Sequence, residues 1–250
     1  MRYFLKLAYN GTHYHGWQYQ PNAISVQEKL NDALQKILKA PISIMGAGRT
    51  DAGVHASEMY AHFDFDDAID EALILYKLNS YLPDDIVLYR IILVHDKAHA
   101  RFDAISRSYE YHIVTGRDPF SLETTWQYFQ NEIDVEAMNQ AAEILLDYTN
   151  FKCFSKSKTD VKTYDCKITN AVWKKEGNRL IFHISADRFL RNMVRAIVGT
   201  LIEVGIGKRA VDDIHRVLAS ENRSEAGLSV PAKGLFLTEI IYPEQLGVNG

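Results

Sequence analysis

The chain has 250 residues and a mass of 28.5 kDa, enough for one large domain or two small ones sharing a core. Its 47% apolar and 24% charged content excludes disorder, collagen and coiled coil, and its formal charge of −4 argues against a protein that coats nucleic acid over its whole surface while allowing a local basic groove. No apolar run reaches the ~18 residues of a membrane helix. Residues 1–6 carry no secretory apolar core and read as a strand. The two cysteines, Cys153 and Cys166, form no Cys-x-x-Cys. A disulfide scaffold or zinc knuckle is therefore not expected, and a reducing cytoplasm fits.

In chain order, strand residues 2–9 end at the turn signal Asn10-Gly11. Beyond an irregular stretch, Ser25 with Glu28 three residues on predicts a capping box. Val26, Leu30, Ala33, Leu34, Ile37 and Leu38 make the apolar face of the helix behind it. Residues 42–45 lead through the glycine-bearing segment 46–53 into a strand over 54–65, then a helix over 69–82 and a strand over 87–94. Strand 107–114 has the texture of the first and ends at Thr115-Gly116. A helix over 134–147 carries Val135, Met138, Ala142, Leu145 and Leu146, and residues 163–174 and 180–186 form a hairpin about Glu176-Gly177-Asn178. A helix over 189–204, an inserted helix over 211–219 and a closing strand over 235–242 complete the pattern.

That order is β-α-β-β-α-β twice. It predicts an α+β protein of two tandem ferredoxin-like units, residues 1–103 and 104–250, in the topology that RNA-recognition domains also use. Joined edge to edge, such units make a mainly antiparallel sheet with a cleft along the seam. Fold at this level leaves function open. Charge is uneven along the chain: residues 151–195 hold eleven Lys or Arg against four acids, while residues 58–71 hold six acids and no Lys or Arg. Composition allows either a polyanion groove with an outward acidic face or an ordinary solvated surface.

The densest segment is Gly46-Ala47-Gly48-Arg49-Thr50-Asp51-Ala52-Gly53-Val54-His55-Ala56. A dinucleotide loop is excluded, because the third glycine of that motif would fall at Asp51 and a strand, not a helix, follows. What remains is one carboxylate, Asp51, between glycines that let a backbone approach a ligand, with Arg49 two residues before it. Asp51 is either the acceptor of an Asx turn or a site carboxylate. Arg188, Arg191 and Arg195 fall at i, i+3 and i+7 of the predicted helix, where they oppose its dipole and suit an anionic partner, unless they form a solvated stripe. Arg195, between Val194 and Ala196, is the one expected to be partly buried and paired. His95 and His99 lack the glutamate of a zincin motif, so no metal site is expected.

Seven segments carry a resemblance. They are Tyr9-Asn10-Gly11-Thr12-His13-Tyr14-His15-Gly16-Trp17-Gln18 with Ser25-Val26-Gln27-Glu28, then Gly48 to Ala56, residues 79–83, His99-Ala100-Arg101-Phe102, Arg107-Ser108-Tyr109-Glu110-Tyr111, residues 189–205 and residues 232–243. In this order they resemble the tRNA pseudouridine synthase A family, from about Arg2 to Pro243. The resemblance implies the pseudouridine synthase fold, and isomerisation of uridine to pseudouridine at positions 38 to 40 of the tRNA anticodon stem-loop. It also implies base flipping, no cofactor or metal, and a homodimer. Asp51 falls on the family's essential aspartate and Tyr109 on a tyrosine that stacks on the target base. Arg195 falls on an arginine that pairs with the aspartate, and Arg49 on one that helps hold the nucleotide out of the stem. Asn10 stands where Asp is usual, Tyr19 where a base is common, and Ser57-Glu58 where Gly-Gln is typical; none is a catalytic position. A non-catalytic RNA-binding protein on the same scaffold is the alternative and would lack the Asp51–Arg195 pair. The carboxylate could add to the base, attack C1′ or remove the 2′ proton, and the residues do not choose among these.

Overall fold

Both faces of strand β1 (Arg2–Tyr9) are covered, with Tyr3, Phe4, Leu5 and Leu7 all buried. It pairs antiparallel with β3 (His55–Asp64) on one side and β4 (Ile86–Val94) on the other, while β2 (Met45–Gly46) pairs with β3. The order β4-β1-β3 with β2 on β3 is that of a ferredoxin-like unit. Helix α1 (Val26–Leu38) starts on the expected capping box. The Ser25 hydroxyl accepts the Glu28 N–H at 3.2 Å and the Glu28 carboxylate accepts the Ser25 N–H at 3.4 Å, while Val26, Leu30, Ala33 and Leu34 are buried. These coordinates are a computed structural model and describe residues 1–156 and 161–248.

Helix α2 (Glu71–Tyr81), capped by Asp70, buries Leu78 and turns polar side chains onto the outer edge of β4. The Glu71 carboxylate accepts from Arg90 Nε at 2.8 Å and from the Ile91 N–H at 3.1 Å. The Asn79 amide bonds Leu88 in both senses, accepting its N–H at 2.8 Å and donating to its carbonyl at 2.9 Å. The acidic stretch is thus used locally. Asp64 pairs with Arg2, and Glu58 takes Lys6 at 3.2 Å together with the Ile240 N–H.

Two compact units divide the chain: residues 1–106 with the chain end from Phe236, and residues 107–235. The closing strand β9 (Leu235–Ile241) pairs parallel with β3, through His55↔Phe236 and Ala56↔Leu237. In the second unit, β5 (Ser106–Thr115) pairs antiparallel with β8 (Arg179–Ala186), and β8 with β7 (Ile168–Glu176). A short strand, β6 (Trp126–Tyr128), adds parallel to β5 and has no counterpart in the predicted pattern. Tyr111, Ile113, Leu180, Phe182 and Ile184 share one buried face of this sheet. On the opposite face the Glu110 carboxylate joins His112 at 2.8 Å and His183 at 3.3 Å; the bond to His112 holds its pKa below the usual carboxylate range.

Helix α3 (Val135–Glu143) begins on Asp134 and tightens into a 3-10 turn over Ile144–Asp147; α4 (Met193–Gly205) and α5 (Asp213–Ser220) follow. Helix α4 starts four residues later than the periodicity predicts. Asn192 adopts the left-handed conformation, φ 67°, and the Arg191 carbonyl takes the Lys156 N–H at 3.0 Å. Arg188 and Arg191 therefore precede the helix, and the expected stripe of three arginines along one helix side does not form. Only Arg195 of the three lies on α4.

Candidate active site

Asp51 sits in the loop between β2 and β3. Residues 51–54 form a β-turn closed by the Val54 N–H on the Asp51 carbonyl at 3.1 Å, with Gly53 at φ 76°, the left-handed third position of a type II turn. The Gly53 N–H, which an Asx turn would direct to the Asp51 side chain, donates instead to the Tyr14 carbonyl at 3.2 Å. The turn is thus closed by backbone groups. Asp51 is partly exposed and Arg49 exposed.

Segment 10–17 is the mould for this loop. A Cβ on Gly11 would lie 2.0 Å from the Val54 carbonyl oxygen, and one on Gly16, at φ 87°, would lie 2.3 Å from that of Thr50. Only glycine lets the two backbones approach so closely. The Trp17 N–H donates to the Thr50 carbonyl at 3.3 Å, and the Trp17 ring lies against Gly46. The Gly11 N–H donates to Nδ1 of buried His55 at 3.0 Å, which places the His55 ring proton on Nε2; that ring stacks on Phe236 with centroids 4.5 Å apart. Tyr14 in turn bonds Asp85 through its hydroxyl at 2.5 Å, and burial raises the phenol pKa. Gly48, by contrast, has open space where a side chain would go. These supports were not found from sequence. Their signal was the glycine spacing in residues 10–17, whose purpose appears only when the two segments meet.

In the second unit, Tyr109 lies on the face it shares with Tyr111 and Ile113, away from the polar face of Glu110 and His112. Its ring meets Phe189 edge-on, with centroids 5.0 Å apart and planes at 83°. Arg195, in the first turn of α4, donates from Nε to the Val230 carbonyl at 2.8 Å, and its own carbonyl accepts the Val230 N–H at 3.2 Å. Its charge also acts on the buried Tyr111 hydroxyl, whose pKa is raised by burial. Tyr109 and Arg195 are therefore each fixed by neighbours within this unit, and Arg49 and Asp51 share one loop of the other.

The basic stretch is partly committed. Lys152 pairs with Glu221 at 3.3 Å and Arg179 with Asp118 at 3.5 Å, while Lys158 lies outside the described residues. Among the described residues no three His, Cys, Asp or Glu are grouped to hold a metal ion, and no helix is long and apolar enough to cross a membrane. Cys153 and Cys166 are buried thiols, each with a pKa pushed up to about 12 by burial.

The profile of the tRNA pseudouridine synthases matches residues 141–243. A Parabacteroides distasonis protein named tRNA pseudouridine synthase A is 50% identical over 98% of this chain and 97% of its own. One of that name from Bacteroides fragilis is 51% identical over 98% of both chains. This chain belongs to the tRNA pseudouridine synthase A family. More distantly, a Clostridium perfringens protein named tRNA pseudouridine synthase A 2 is 39% identical over 95% of this chain and 98% of its own.

Against the family pattern, two of the departures have a structural account. The Asn10 side-chain oxygen accepts from the Thr12 N–H at 3.0 Å and the Thr12 hydroxyl at 2.7 Å, work an aspartate oxygen would do equally. Glu58 is half-buried against Lys6, so its charge is largely answered within the chain. Tyr19 is exposed, and nothing in the structure explains it. The family stretch 79–83 opens with Asn79, whose place is the edge of β4.

Proposed function

We propose that the chain isomerises uridine to pseudouridine at positions 38 to 40 of the tRNA anticodon stem-loop, with Asp51 as the essential carboxylate. The observation that carries this reading is the backbone-closed turn at 51–54, which holds Asp51 in a loop fixed at Thr50 by the Trp17 N–H and at Gly53 by the Tyr14 carbonyl. The reaction breaks the N1–C1′ bond and joins C1′ to C5. The C5 proton leaves and N1 ends protonated, so no atom or electron is gained overall and no co-reactant is consumed. The target base must first leave its stack, at a cost of a few kcal/mol. Tyr109 supplies the ring beneath it, Arg49 helps hold the nucleotide out of the stem, and Arg195 serves the same chemical step as Asp51. Incubating the protein with unmodified tRNA and mapping the product with a pseudouridine-selective reagent tests the reading. Pseudouridine at positions 38 to 40 is expected, and a product elsewhere or none at all would defeat it.

Two variants probe the supporting roles. Tyr109→Phe should keep most of the affinity for tRNA, while Tyr109→Leu should lose roughly 1–3 kcal/mol, because stacking needs the ring. Equal affinities, measured by filter binding, would remove the stacking role. Arg195→Ala should slow single turnover severely and Arg195→Lys less so, since lysine keeps the charge but not the planar fork. Unchanged single-turnover rates in both would separate Arg195 from the chemistry. The homodimer and the cytoplasmic location belong to the same proposal. The two buried thiols suit a reducing compartment, and sedimentation at micromolar concentration reads the oligomer.

A further inference from the structure

We propose that Tyr9 is a positioning residue for this reaction, orienting Asp51 through a hydrogen bond to the side chain of its neighbour Thr50. The inference rests on the reading of Asp51 as the reacting carboxylate. Its basis is the end of strand β1. Leu7 faces Met59 on β3, yet Tyr9 faces Ala56, so two steps along β1 answer three along β3. The extra residue lies in β3, which such a bulge bends locally where it faces the end of β1. The Tyr9 hydroxyl lies 2.8 Å from Thr50 Oγ1.

The ring of Tyr9 is 4% exposed and meets Trp17 with centroids 6.1 Å apart. A phenylalanine would fill the same space. A buried phenol oxygen carries a desolvation cost that a partner offsets, and one partner at this position is the residue preceding Asp51. Thr50 is consequently held twice, at its carbonyl by the Trp17 N–H and at its hydroxyl by Tyr9. On the other side of Asp51, Gly53 is held by the Tyr14 carbonyl. The Tyr14 and Trp17 contacts are backbone bonds of the mould and are indifferent to side-chain identity. The Tyr9–Thr50 bond is a side-chain contact that fixes the peptide leading into the carboxylate. Because Tyr9 is buried, its loss should be felt in rate and not in RNA binding.

Tyr9→Phe retains the ring against Trp17 and deletes the oxygen. With enzyme in excess over tRNA labelled at C5 of uridine, Tyr9→Phe and Thr50→Val should each slow release of label about 10- to 100-fold, the cost of a modest misplacement of a reacting group. Affinity for tRNA and the circular dichroism spectrum should match the parent. Thr50→Ser, which restores an Oγ, should recover most of the rate lost in Thr50→Val. The double variant Tyr9→Phe/Thr50→Val should be no slower than the slower single one, since both delete the same bond. Parent rates in Tyr9→Phe, losses that multiply in the double variant, or a loss of tRNA binding in place of rate would each overturn the proposal. Asp51→Asn in the same series keeps the two readings apart. Turnover by Asp51→Asn would remove the carboxylate's role, whereas an inactive Asp51→Asn beside a fully active Tyr9→Phe would remove only that of Tyr9.

Discussion

Asp51→Asn is expected to fold as the parent does, to bind tRNA with unchanged affinity, and to form no pseudouridine. The substitution is nearly isosteric. The turn at 51–54 depends on the Asp51 carbonyl, the Val54 N–H and Gly53, none of which it alters. Its supports, from Tyr14 and Trp17, reach the backbone of Gly53 and Thr50 and are equally untouched. What is removed is a charge and a basic or nucleophilic oxygen. Whichever of the three chemical duties Asp51 performs, an amide cannot perform it, and the loss should be about 10³-fold or more. Release of label from C5 under single turnover measures it directly. Substantial residual release would move the chemistry to another group.

Gly16→Ala should be nearly as damaging, by a different route. An alanine at φ 87° carries a backbone cost of about 1–2 kcal/mol. Its Cβ, 2.3 Å from the Thr50 carbonyl oxygen and 3.1 Å from the Asp51 carbonyl carbon, would have to push the loop away. The displaced atoms are backbone, with no flexible end to swing aside. A shift of that size at the residue bearing the carboxylate should cost about 100-fold in single-turnover rate. The melting temperature should fall by roughly 2–4 °C for each kcal/mol of strain. Gly48→Ala is the control for stability, because a Cβ there meets nothing within 4 Å. If Gly16→Ala melted and turned over like the parent, the mould described for segment 10–17 would be wrong.

These two positions differ in how far the sequence reveals them. Asp51 stands out as an acid among glycines that fits no dinucleotide loop, but that pattern alone leaves an Asx turn open, and its expected role comes from the family resemblance. Gly16 does not stand out, since its constraint comes from residues more than thirty positions away in the chain. Local signals served well where local physics decides, as at Ser25 and Glu28, whose capping box needs nothing beyond one turn of helix. They failed at Leu190, which is buried and so extends the apolar period of α4 backwards, although Asn192 breaks the helix. The arginines before it were consequently placed on a helix that had not begun. Strand β6 is three residues long, too short for any alternation, and β5 alone gives it a reason to be extended.

The outer edge of β4 has a consequence for how this protein keeps company with itself. A strand of nine residues with a single charged side chain is the kind of ribbon onto which a stray segment of another molecule readily zips. Here the place of that visitor is already taken. Asn79 offers Leu88 one donor and one acceptor, as a neighbouring peptide would, and Glu71 occupies the next amide at Ile91. A newcomer laid along the ribbon must evict both before gaining its first bonds there. Asn79→Ala should thus show itself in a concentrated solution left standing, as turbidity and growing thioflavin fluorescence, well before it shows in catalysis.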